Sequence, residues 1–79
     1  MTPPIQEFRG ITPASLDALE RGVREGRRVA LLRRGTEYVV VAMRLESESG
    51  DDVLIGRLPM TGEALAFRLR ELERFAILP

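Results

Sequence analysis

The spacing of apolar positions along the chain changes once. From Ile11 to Gly26 it is helical: Leu16, Leu19 and Val23 stand at i, i+3 and i+7 and make one stripe. Thr12 is placed to cap that helix. Pro13 suits its first position, where the missing N–H has no intrahelical partner to lose. Gly26 is the expected left-handed terminator. Gly22 lies inside the helix at a cost of roughly 1 kcal/mol against alanine, a cost that close packing against a strand would explain.

Beyond Gly26 the period falls to two. A first strand is predicted over 28–33 and a second over 37–47, joined through Gly35 as a hairpin. In the second strand Val39, Val41, Met43 and Leu45 alternate. They are expected to face the core, with Val41 close to Leu31, Val53 and Phe67. Tyr38, Val40 and Ala42 make the other face of that strand equally apolar. Such a strand is either covered on both sides, here by the helix, or offers one face to a protein, an RNA base or another subunit. "ESESGDD" reads as a polar loop. "VLIGRL" reads as a third strand with a bend or bulge at Gly56, and "PMTG" as a turn. "EALAFRLREL" is a fourth strand with Leu65, Phe67 and Leu69 inward, and "RFAIL" a short fifth. Ahead of the helix, residues 1–10 hold two prolines and no sustained period. They read as an extended arm from which Ile5 and Phe8 dock on the body.

The expected architecture is therefore mainly β, a single domain over 1–79. It has an arm at 1–10, a helix at 11–26, and a strongly bent five-stranded antiparallel barrel over 27–78. A small sheet hides its edges best by curling, and the helix can plug one open end. This order resembles the Sm-like, or SH3-like, small barrels. Within them the chain is most similar to the Rof family, small bacterial inhibitors of the termination factor Rho. The likeness rests on "ITPASLDALE" from Ile11 to Glu20, on the glycine-split hairpin and on the closing "FRLRELERFAI". The resemblance implies a regulatory module that binds its protein partner through acidic residues, of which Asp17 and Glu20 carry over by position.

Charge changes this picture in one respect. Twelve basic and twelve acidic residues cancel, whereas a domain that held nucleic acid by bulk charge would be clearly basic. Any such binding needs a local patch. All twelve basic residues are arginine, in keeping with a GC-rich genome. Without cysteine or histidine, thiolate metal sites and the usual nucleophile–histidine triads are excluded. No cofactor is expected. Glu48, Asp51 and Asp52 form a solvated loop or, alternatively, a hard-cation site. No apolar run approaches membrane-spanning length, so a cytosolic protein without a membrane partner is expected.

The arginines admit two readings. They keep exposed strands soluble and pair with Glu37, Glu46 and Glu63, or they grip a phosphate backbone. For the second role Arg33 and Arg34, beside the hairpin turn and Tyr38, are the candidate contacts, with Tyr38 as a stacking platform. The expected function is a non-catalytic binding module in bacterial gene expression, acting on a protein, Rho being the one the resemblance implies. The alternatives are an RNA-binding oligomer of the Sm type, assembled through its edge strands, and a structural accessory subunit.

Overall fold

The cap of the predicted helix forms at the predicted residues. In the computed structural model, which describes residues 5–79, α1 runs from Pro13 to Glu25. Thr12 Oγ1 accepts from the Ser15 amide at 3.1 Å, and Ser15 Oγ accepts from the Thr12 amide at 2.8 Å. Two orphan donors are satisfied reciprocally. Gly26 ends the helix at φ 63°. Thr12→Ala is expected to cost about 1 kcal/mol, read from the denaturant midpoint at unchanged slope; a midpoint equal to wild type would move the start of the helix to Ser15.

Around α1 the described residues make six strands: β1 (Gln6–Phe8), β2 (Arg28–Arg33), β3 (Thr36–Glu48), β4 (Asp51–Arg57), β5 (Ala64–Arg68) and β6 (Leu72–Ile77), with a 3₁₀ turn at Leu69–Glu71. All pairings are antiparallel, in the order β1-β6-β2-β3-β4-β5. The fold is mainly β, as expected, but the five-stranded barrel is not what forms. The sheet has six strands and is open, ending at β1 and β5. The additional strand comes from the predicted arm. Gln6, Glu7 and Phe8 lie opposite Ile77, Ala76 and Phe75, and the Phe8 and Phe75 rings sit 5.3 Å apart. Phe8 thus docks, whereas Ile5 stays exposed. The rest of that arm, residues 1–4, is outside the described residues.

The sheet curves enough for β5 and β6 to share one interior. Phe67, Leu69, Phe75 and Ile77 are buried in the same cluster as Val29, Leu31, Val40, Ala42, Leu54 and Leu19 of α1. Gly22 is buried against β6, but close packing does not account for the glycine: a Cβ there would stand 3.7 Å from two methyl carbons of Ile77, an ordinary van der Waals contact.

The face of β3 is the reverse of the expected one. Val40 and Ala42 are buried; Val39 and Met43 are 39% and 41% exposed, and Val41 is half-buried. Two features cause this. Arg34 and Gly35 both have positive φ, 51° and 75°, so the β2–β3 turn is a two-residue type I′ hairpin. It sets Arg33 opposite Thr36, hence Leu31 opposite Tyr38 and Val29 opposite Val40. Since Val29 and Leu31 point inward, Val40 must as well. Then Met43 enters as an extra residue, a bulge between Ala42 and Arg44. The phase slips by one, and Leu45 returns to the core side. Gly56 stands opposite Ala42 beside this bulge.

"ESESGDD" is also not a loop. β3 and β4 continue through it and meet in a second two-residue turn at Ser49 and Gly50, with φ 50° and 84°.

Candidate binding site at the hairpin end of the sheet

Arg33 closes one end of the curved sheet. It follows Val29 and Leu31 on the inward face of β2 and emerges where the core meets solvent. Its guanidinium carbon lies 5.2 Å from the centre of the Tyr38 ring and 4.9 Å from that of Phe67. The two rings meet edge to face, 5.2 Å apart and inclined at 65°. Nη2 makes a long hydrogen bond of 3.4 Å to Tyr38 Oη. The I′ turn fixes Arg33 against Thr36 and leaves Tyr38 as its diagonal neighbour, within reach of a long side chain. Phe67 arrives from β5, opposite Leu54. The arginine is held by cation–π attraction, worth about 0.5–2 kcal/mol according to its exposure.

The remaining Arg33 donors are uncommitted. Among the described residues no carboxylate lies within ion-pair distance of it. Among the described residues Nε and Nη1 find no hydrogen-bond acceptor and no unsatisfied side-chain nitrogen is buried, so both keep contact with solvent. A planar fork of donors, held beside two aromatic rings, matches a carboxylate or phosphate bidentately. Arg34 stands next to it, 78% exposed, 3.5 Å from Glu71 of the 3₁₀ turn. Such a surface pair contributes little stability and leaves the charge available.

Of the residues singled out in the sequence, Arg33 and Tyr38 are brought together, and Arg34 lies beside them. Tyr38 is half-buried with a guanidinium over its ring. A nucleobase would have to displace Arg33 or stack on the guanidinium itself. Asp17 and Glu20 are exposed one turn apart on α1. The helix packs on the part of the sheet containing Ile77, at the Arg28 end of β2. Arg33 is at the other end, about 17 Å along the strand. Phe67 was identified only as a core residue; its second role under Arg33 depends on a pairing that local pattern does not carry.

The acidic stretch does not gather into a cation site. Asp51 is held by Arg70 at 3.3 Å, and Asp52 accepts from Ser47 Oγ at 3.1 Å. Among the described residues no three acidic side chains converge on a metal-sized space, and no helix is long and apolar enough to cross a membrane. No family model, curated protein or solved structure matches the chain.

Proposed function

We propose that this chain is a non-catalytic binding module of bacterial gene expression that acts by holding a partner protein, with Rof-like modulation of Rho-dependent termination as its most specific form. The carrying observation is Arg33: an arginine fixed on Tyr38 and Phe67, with Nε and Nη1 open to solvent and no acidic partner among the described residues. It suits a carboxylate of an acidic protein segment. The setting in gene expression comes from the resemblance in "ITPASLDALE" and "FRLRELERFAI". A ring of the Sm type would pair the strands corresponding to β5 and β6 between subunits. Here β6 already has β2 on one side and β1 on the other, which favours the protein-binding reading over the ring.

Affinity capture from the native lysate, with and without RNase, tests the reading. The bound protein should survive RNase and fall by about tenfold or more when Arg33→Gln and Arg34→Gln are combined, as for loss of charge-assisted contacts. Capture that instead depends on Asp17→Asn with Glu20→Gln would move the contact to the helix, as the Rof resemblance implies. Capture lost on RNase treatment would overturn the protein reading, if the arginine variant also bound RNA with a salt slope shallower by about two.

A further inference from the structure

The outward face of β6, β2 and β3 is apolar at its centre, carries Arg74 and Glu37 at one end and carries Arg28 and Arg57 at the other. Its middle row is Ala76, Ala30 and Val39, directly opposite one another. One row away Leu32 lies between Arg74 and Glu37. On the other side Val41 lies between Arg28 and Arg57. α1 contributes its buried residues to the core cluster on the opposite side of the sheet, and Val39 and Met43 remain exposed. A groove of about 180 Å³ runs over Ala30, Leu32 and Ala76, walled by Glu7, Glu37 and Arg74. Among the described residues Glu37, Arg28 and Arg57 have no ion-pair partner; Glu7 has only Arg74, at 3.9 Å.

We propose that this face pairs with the same face of a second copy of the chain. A two-fold axis lying between the two sheets, across the strands at the Ala30–Val39 row, turns each face end for end. Val39 then meets its counterpart. Glu37, four residues or about 13 Å along β3 from Val41, arrives over Val41 of the other copy, between that copy's Arg28 and Arg57. The contact is isologous, so each ionic cluster forms twice. The charges that choose the occupant are those the fold leaves unpaired, and a small domain with limited buried surface gains from such burial. The face spans β1 to β4, about 19 Å at the usual strand spacing. It is smaller than a permanent interface requires, so the dimer belongs to the weak, exchanging class. It uses a surface separate from the Arg33 site and does not depend on the function assigned to that site.

Sedimentation velocity at about 100 μM, a concentration suited to a weak interface, should show dimer for the unmodified chain. Glu37→Arg sets like charges together and should weaken association by about tenfold or more. Arg28→Glu combined with Arg57→Glu should do the same. All three positions are exposed, so each variant should melt like wild type. Mixed in equal amounts, the two variants should associate again, because every reversed charge meets its complement. A wild-type monomer at that concentration, variants that remain dimeric, or a mixture that stays monomeric would each overturn the proposal.

Discussion

Val40→Asp is expected to leave the domain unfolded at neutral pH, while Val41→Asp leaves it folded. The valines are neighbours in sequence and both lie in β3, but Val40 has no exposed surface and Val41 is half-buried on the outer face. A domain of this size has about 4–12 kcal/mol of stability. Removing the Val40 side chain from the core forfeits about 1.5–3 kcal/mol of burial. A carboxylate in its place, among Val29, Leu54 and Phe67, has no donor to receive and adds several kcal/mol more. Val41→Asp puts its carboxylate between Arg28 and Arg57, and a surface pair of that kind changes stability by only about 1 kcal/mol. Thermal melts at low protein concentration, where self-association does not contribute, decide the matter. A cooperative, near-native melt for Val40→Asp would show that the inward face is the other one.

Gly56→Ala is the second large effect, from steric conflict rather than charge. A Cβ at Gly56 would lie 2.5 Å from Val40 Cγ2 and 2.8 Å from Val40 Cβ. A buried Cβ is anchored to its strand and cannot rotate away, so β3 and β4 must separate beside the bulge. Overpacking of this kind costs about 1–3 kcal/mol, and each kcal/mol lowers Tm by about 4–8 °C in a domain this size. Val40→Ala removes the nearer methyl but keeps its own Cβ. Combined with Gly56→Ala it should therefore lose less than the two single changes added together. Strict additivity would mean that Gly56 is glycine for some other reason.

These two sites also show where the sequence was legible. The helix could be placed from Thr12, Pro13 and Gly26 because capping is chemistry between near neighbours. That Val29, Leu31 and Arg33 share one face of β2 follows from alternation, but Ala30 and Leu32 make the other face almost as apolar, so the inward side of β2 was not fixed by its own residues. β3 was not readable from its alternation: Tyr38, Val40 and Ala42 are as apolar as Val39, Val41 and Met43, so hydrophobicity could not choose. The two-residue turn at Arg34–Gly35 held the missing information, since it transfers the facing of β2 to β3. The Met43 bulge then placed Leu45 inside, although by count it belongs with the exposed set. β1 escaped notice because three residues carry no usable period and their partner lies some seventy positions away. At the candidate site, Arg33, Arg34 and Tyr38 could be found from their nearness to the turn. Phe67 could not, because β5 meets them only through the curvature of the whole sheet.

The position of β6 has a consequence for the order of events during synthesis. β2 through β5 is a run of neighbours, each pairing with the next, so these pairings can begin as the chain emerges. β6 enters between β1 and β2, two segments translated well before it. Until Phe75 and Ile77 leave the ribosome, Val29, Leu31 and Gly22 lack the side chains that cover them, and Phe8 lacks its stacking partner. Long-range closure is the slow step in sheets of this kind. The emergence of β6 is therefore what releases the nascent chain from an exposed, association-prone interval.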